Sequence, residues 1–419
     1  MRDQLEGSLA IARTVARCRP EVVSAYPISP QTHVVEALSD MVRSGELAPC
    51  EFMLVESEFA AMSAAIGASA VGARAYTATS SQGLLFMAEA LYNASGLGLP
   101  IVMTLANRAI GAPINIWNDH SDAMSQRDSG WIQLYAESNQ AAIDLHVQAF
   151  ALAEELSLPV MVCVDGFVLT HAVEPLDVPS QAEVDGFLPP YAPRQVIDPD
   201  EPVTIGAMVG PEAFTEVRYL AHAKQMQALD LVPEIASTFT QAFGRTSGGL
   251  LRRYRTEGAE TVVVALGSVL GTVEDVVDGL REQGERVGAL GITCFRPFPL
   301  DEVRAALAHA ARVVVVERAF AVGIGGIVGQ NVRLALAAER PVVYDVVAGL
   351  GGRPVTRRSL ETLLDDVRDG RLEANRLHFL DLDTALVERE LARMGESRRS
   401  GPHAENILHD LGVVMARSH

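Results

Sequence analysis

The chain has 419 residues, 48% of them hydrophobic and 21% charged, the make-up of a folded globular protein long enough for two or three domains. Its 34 basic and 53 acidic side chains leave a formal charge of −19, which argues against nucleic acid or an anionic membrane surface as a partner. Cys18, Cys50, Cys163 and Cys294 form no CxxC pair, so no zinc site or iron–sulfur cluster is expected on this chain alone.

Along the chain, the first seven residues lack the apolar core of a signal peptide. Apolar stretches such as Val313-Val-Val-Val316 are strand-sized and too short for a bilayer. With the scattered cysteines, these features predict a soluble, cytoplasmic protein. Residues 5–18 carry apolar side chains at helical spacing and are cut off by Pro20. Strands are expected over 22–26, 52–55, 75–79, 100–105 and 159–164. Between them fall an Ala-rich helix over 58–73 and a helix running from the turn Ser80-Ser-Gln-Gly83 through Leu91. This rhythm predicts a mainly parallel sheet covered on both faces, with ligands beyond the carboxyl ends of its strands. Seven prolines between Glu174 and Val203 predict an extended connector, and 219–254 a mostly helical linker. A second α/β unit opens with residues 260–266 and the turn Gly267-Ser268, then continues through 286–290 and 313–316 to 342–347. The stretch from Leu372 to His419 is charged and helix-prone.

Four loops of the first unit hold more polar residues than a bare α/β core needs. In Tyr26-Pro-Ile-Ser-Pro-Gln-Thr32, two prolines stiffen the backbone and present the Ser29 hydroxyl; a helix cap by Ser29 or Thr32 is the plainer reading. Glu56-Ser-Glu58 sets two carboxylates at the mouth of the Ala-rich helix, where its positive end favours them. The small residues after Glu58 suggest a close contact that buries its carboxylate and suits it to sharing a proton. Thr79-Ser-Ser-Gln-Gly83 can bind an anion through backbone N–H groups or simply cap a helix. In the last loop, from Asn107 to Asp122, Arg108 can clamp a carboxylate in bidentate fashion or stand as an exposed loop arginine. The cluster Asp119-His-Ser-Asp122 reads better as a hydrogen-bonded loop than as a metal site. Gly323-Ile-Gly-Gly-Ile-Val-Gly329 departs from GxGxxG spacing, so a tight turn before a helix is favoured over a dinucleotide site. Ser268 lacks the GxSxG frame of a nucleophile elbow.

Taken in order, Tyr26-Pro-Ile-Ser-Pro-Gln-Thr32, Glu56-Ser-Glu58, Thr79-Ser-Ser-Gln-Gly83, Asn107-Arg-Ala, Asp119-His-Ser-Asp122, Arg127-Asp-Ser-Gly-Trp131 and Asp165-Gly-Phe167 resemble the α subunits of the pyruvate:ferredoxin oxidoreductases, in the 2-oxoacid:ferredoxin oxidoreductase family. Arg296-Pro-Phe-Pro299 and Glu317-Arg-Ala319 resemble that family's second domain, itself similar to the C-terminal domain of transketolase. The resemblance implies an α/β fold in three parts. Residues 1–240 form a pyrimidine-binding-type thiamine diphosphate domain with its connector and linker. Residues 255–365 form a transketolase C-terminal-like α/β domain, and 366–419 a helical extension.

It also implies oxidative decarboxylation of a 2-oxoacid, pyruvate first, with coenzyme A, giving acyl-CoA, CO2 and reduced ferredoxin. A β subunit would hold the diphosphate and Mg2+. Iron–sulfur clusters would sit on β or on a ferredoxin-like δ subunit, accompanied by γ or fused equivalents, and ferredoxin would dock there. Carried over by motif, Glu58 is the catalytic group that hydrogen-bonds the aminopyrimidine N1′, Ser29 and Arg108 bind the substrate carboxylate, and Pro27, Ser81 and Gln82 line the cofactor. No metal ligand is assigned. Ser29 stands where the family usually has Thr, and Asn139-Gln-Ala-Ala-Ile-Asp144 and Gly7-Ser8 also depart from its patterns. Phenylglyoxylate, oxalate and branched-chain oxoacids therefore stay open as substrates. The alternatives are half of a transketolase-like thiamine-dependent C–C ligase without a redox partner, and a non-catalytic assembly protein with a vestigial thiamine fold.

Overall fold

The computed structural model describes residues 3–202, 204–374, 376–396 and 403–413. Residues 397–402 and 414–419 of the expected C-terminal extension, and Val203 at the end of the expected connector, lie outside them.

The first sheet has seven strands in the order Cys294–Arg296, Ile132–Tyr135, Val160–Asp165, Val102–Asn107, Ala75–Thr79, Val22–Ala25 and Glu51–Leu54. All neighbours are parallel except the first pair. The three central strands are buried along their whole length, so both faces call for small or apolar side chains, and helices cover them. From Val22–Ala25 the chain moves out to the edge strand Glu51–Leu54, then returns to Ala75–Thr79 on the other side. The winding direction thus reverses between Val22–Ala25 and Ala75–Thr79. Sheets of this kind open a crevice at that point, beyond the carboxyl ends of the strands.

The second sheet has six strands in the order Leu377–Phe379, Val342–Val347, Arg312–Glu317, Thr261–Ala265, Val287–Ile292 and Leu251–Tyr254, the last antiparallel.

Several local expectations change. The stretch expected to be an extended connector holds the strand Val173–Leu176, paired antiparallel with Asp3–Glu6, and the helix Gln181–Phe187. Ser180 and Glu183 close a capping box at the start of that helix, and the prolines fall outside it, at Pro175, Pro179, Pro189 and Pro190. The helix expected through Leu91 is two helices, Ser81–Phe86 and Ala88–Leu97, with Met87 between them. The expected helical linker is the 30-residue helix Phe214–Phe243, ended by Gly244 at φ 67°, followed by the edge strand Leu251–Tyr254. Cys163 is a buried core residue, as its apolar surroundings predict. Among the described residues no helix is long and apolar enough to cross a membrane.

Candidate active site

The crevice is framed by loops that each follow a strand of the first sheet. Gln31 spans it, its Nε2 donating to Tyr26 O at 2.9 Å and to Ala78 O at 3.3 Å, which ties the loop after Val22–Ala25 to the end of the strand Ala75–Thr79. Pro27 and Ser29 stand exposed on the rim. Among the described residues the Ser29 hydroxyl has no hydrogen-bond partner. The helix Thr32–Ser44 starts without a side-chain cap, so the capping reading of Ser29 and Thr32 gives way to a free hydroxyl at the crevice.

Glu58 is the first residue of the helix Glu58–Ala70, capped by Ser57, whose hydroxyl accepts from Ala60 N–H at 3.2 Å. The Glu58 side chain is 8% exposed, yet among the described residues no protein group donates to its carboxylate. Glu56 is exposed. Gly83 lies against Glu58: a Cβ at Gly83 would come within 2.7 Å of Glu58 Oε1 and 2.5 Å of Thr79 Oγ1. Only glycine lets the loop after Ala75–Thr79 close over this carboxylate. Thr79 Oγ1, fully buried, also lacks a partner.

Asp122 is the residue that sequence reasoning undervalued. It is fully buried and accepts four hydrogen bonds: Ser81 N–H and Arg108 N–H on Oδ2, each 3.0 Å, and Asn107 Nδ2 at 2.9 Å and Ala123 N–H at 2.8 Å on Oδ1. Burial pushes its pKa up to about 6 against these four donors. Asp122 thereby fixes two loops at once and occupies the Ser81 N–H that an anion would have used. Ser81, at a left-handed φ of 48°, is further held by its hydroxyl, which donates to Ala109 O and to Gln82 Oε1. Ser80 donates to Ala106 O at 2.7 Å rather than capping a helix.

Arg108 does reach the rim. Its Nη1 donates to Ser29 O at 2.8 Å and its Nε to Asn115 O at 3.3 Å, which brings Arg108 and Ser29 together. Its other guanidinium nitrogen has no partner among the described residues. Burial lowers the Arg108 pKa, and the Asp122 charge opposes that shift.

Behind the crevice a second buried network joins the two sheets. Asp165, at the end of Val160–Asp165, takes His120 Nε2 at 2.6 Å, Arg318 Nη1 at 2.9 Å, Ser268 N–H at 2.9 Å and the Ser268 hydroxyl. Burial acts to raise its pKa, but His120 and Arg318 outweigh burial and hold the carboxylate below its usual range. Asp119 accepts from Ser121 N–H and, across the two units, from Gly351 N–H. The Asp119 to Asp122 cluster is therefore a hydrogen-bonded hinge between loops. The turn Gly323 to Gly329 is closed by the protein's own carboxyl group: Glu317 accepts from Ile327, Val328 and Gly329 N–H at 2.7–3.1 Å. A Cβ at Gly326 would meet Glu317 Oε1 at 2.1 Å, so these glycines make room for a carboxylate and leave none for a dinucleotide.

Cavities of about 500 Å³ beside Arg74 and about 570 Å³ beside Arg127 lie apart from this crevice. The Glu58 carboxylate, without a donor among the described residues and open to the crevice, fits a ring nitrogen that shares a proton, and the groups at Ser29 and Arg108 fit a small carboxylate.

Residues 13–237 match the thiamine-diphosphate-binding region of the pyruvate flavodoxin/ferredoxin oxidoreductases, and 259–360 match pyruvate:ferredoxin oxidoreductase core domain II. The pyruvate synthase subunit PorA of Methanosarcina barkeri is 47% identical over 369 residues, 87% of this chain and 92% of its own. A 2-oxoglutarate:ferredoxin oxidoreductase from Magnetococcus marinus, solved with 2-oxoglutarate, coenzyme A and succinyl-CoA bound, superposes with a TM-score of 0.70 at 21% identity. That match covers 87% of this chain and 65% of the Magnetococcus chain. A split-gene transketolase, an inactive β4 tetramer, matches with a TM-score of 0.51 at 15% identity, over 87% of this chain and 98% of its own. Both solved structures share the α/β fold, and the sequence matches go further: the chain belongs to the pyruvate flavodoxin/ferredoxin oxidoreductase family, as an α-type subunit of a thiamine-diphosphate-dependent 2-oxoacid:ferredoxin oxidoreductase.

Proposed function

We propose that this chain supplies the pyrimidine side of an active site that oxidatively decarboxylates pyruvate with coenzyme A, passing electrons to ferredoxin. The observation that carries the reading is Glu58, a side chain only 8% exposed whose carboxylate opens on the sheet crevice with no protein donor among the described residues. A carboxylate held at a crevice without a protein donor leaves its acceptor sites open to a ligand. Thiamine diphosphate, when bound, supplies the nucleophilic carbon that attacks the 2-oxo group. Glu58 would hold a proton at N1′ of its aminopyrimidine, with Pro27 and Gln82 shaping the wall around the ring and the fully buried Ser81 bracing the turn behind them. Arg108 and the Ser29 hydroxyl would orient the substrate carboxylate on the rim. Asp122 positions both Ser81 and Arg108, so it acts through them.

The division into residues 1–240, 255–365 and 366–419 belongs to the same proposal, with the edge strands Leu251–Tyr254 and Leu377–Phe379 completing the second sheet from just outside the middle unit. The sequence has no Gly-Asp-Gly…Asn motif for a diphosphate and no clustered cysteines. A β subunit is therefore proposed to carry the diphosphate and Mg2+, and β or a δ subunit, accompanied by γ, the iron–sulfur clusters. Apolar side chains beside the crevice support a covering partner: Leu54 is 66% and Phe86 61% exposed, and Phe86 pairs with Phe59 at 6.4 Å. Pyruvate is favoured because the 47% identical relative is a pyruvate synthase subunit.

The experiment is to co-purify the chain with its partners and assay several 2-oxoacids with coenzyme A and a viologen dye. Dye reduction is expected with pyruvate above the others, with none from the isolated chain. Carbon–carbon ligation without dye reduction, or turnover by the chain alone, would overturn the proposal.

A further inference from the structure

Three residues far apart in sequence meet beside the crevice. Glu6 ends the strand Asp3–Glu6, His33 is the second residue of the helix Thr32–Ser44, and His171 lies in the turn after Val160–Asp165. One ligand atom of each lies within 4.8 Å of the other two. His33 Nδ1 stands 2.6 Å from Glu6 Oε1, and the two imidazole rings face each other with centroids 4.9 Å apart. His171 is oriented from behind: its Nδ1 is 2.8 Å from the hydroxyl of the fully buried Thr170, and the Phe167 ring packs against it at 4.7 Å. The tautomer in which Nδ1–H donates to Thr170 leaves the lone pair of His171 on Nε2. Metal-binding imidazoles are commonly held by such an outer hydrogen bond.

We propose that Glu6, His33 and His171 bind one first-row divalent transition ion, of which Zn2+ is the type, with water completing the shell. Two imidazoles and a carboxylate suit such an ion, whereas Ca2+ and Mg2+ call for oxygen ligands. Tetrahedral bonds of about 2.0–2.1 Å place ligand atoms about 3.3 Å apart, so the cluster closes by a small shift of the exposed His33 side chain. The ion would act as a clip. A Cβ at Gly166 would come within 2.6 Å of Pro30 Cγ, so the loops bearing Ser29 and His171 already touch, and a bond through His33 and His171 would lock them together. The proposal does not depend on the thiamine reading.

The test uses the full chain, stripped with a chelator and returned to metal-free buffer, with Zn2+ titrated against a chromophoric chelator. One Zn2+ per chain is expected to bind and to raise the melting temperature. His33→Gln and His171→Gln should each weaken binding by at least about 100-fold, the upper end of what losing a supporting group costs. Glu6→Gln, the mildest change and the check against misfolding, should weaken it as well. His222→Gln, an exposed histidine on the helix Phe214–Phe243, should bind as the parent does. Absence of binding, or binding that survives all three ligand variants, would overturn the proposal and leave a hydrogen-bonded Glu6–His33 pair.

Discussion

Glu58 and Arg108 have opposite surroundings, and their expected phenotypes differ accordingly. Glu58→Gln keeps the shape at the buried helix start but cannot accept and return a proton. In the assembled complex it should leave partner binding and cluster absorbance intact while slowing C2–H/D exchange of bound thiamine diphosphate by at least about 10²-fold, the low end for a positioned acid–base group. Quenched-flow NMR reads the exchange. Parent-like exchange in a folded complex would reduce Glu58 to a helix-end carboxylate, worth at most about 1 kcal/mol. Arg108→Ala removes the free guanidinium nitrogen and the tie to Ser29 O. It should raise KM for the oxoacid and lower kcat/KM by an amount equivalent to about 2–5 kcal/mol, with thiamine diphosphate affinity unchanged. An unchanged KM would make Arg108 a loop-bracing residue only. Glu58 and Arg108 were both legible in the sequence as polar residues in loops after strands. Asp122 was not, because its importance lies in four donors from three separate segments, and spacing does not encode that convergence.

At the scale of an element, the strand Arg312–Glu317 and the helix Val328–Ala335 are joined through one side chain. Burial pushes Glu317 up to about 7 from 4.5, despite the backbone N–H groups of Val328, Gly329 and Ile327 and with the Asp345 charge adding to the rise. A carboxyl raised in the folded state favours folding most when it is protonated. Its contribution is therefore fully present below pH 4.5 and is lost as pH rises through about 7. The stability of the parent relative to Glu317→Gln should fall across that window by on the order of 3 kcal/mol, read by urea unfolding at several pH values. A difference that stays flat with pH would show that folding leaves the Glu317 pKa unshifted. The glycine-rich sequence that closes on Glu317 looks much like a cofactor turn. What separates the two is an acidic residue six positions before the first glycine, a signal that was present at Glu317 but carries meaning only once the strand is folded beside the turn.

Across the whole molecule, the two sheets are held by Asp165, which lies on the first and receives Arg318 and Ser268 from the second. Asp165→Ala leaves the buried Arg318 without its counter-charge and His120 without its hydrogen-bond partner. It should cost about 3–5 kcal/mol of stability in the full chain, measured by denaturant unfolding, because breaking a buried ion pair strands the remaining charge. A loss under about 1 kcal/mol would mean that the strand Cys294–Arg296, which crosses from the second unit to the edge of the first sheet, holds the units together without it.

The sequence alone determined the α/β class, the positions of most central strands and the loops that frame the candidate site. Those features depend on local periodicity, on turn residues and on motifs that are contiguous in the chain. It also carried the resemblance that the family matches bear out. Tertiary structure alone decided that Asp3–Glu6 pairs with Val173–Leu176, that Cys294–Arg296 changes sheets, that Asp122 and Asp165 gather donors from separate segments, and that the turn after Arg312–Glu317 closes on Glu317. Edge pairings use short strands with weak patterns, and buried carboxylates draw their meaning from whichever groups the fold brings within hydrogen-bonding distance. The same holds for Glu6, His33 and His171, which are separated by up to 165 positions in the chain and meet only because three elements converge on one end of the first sheet.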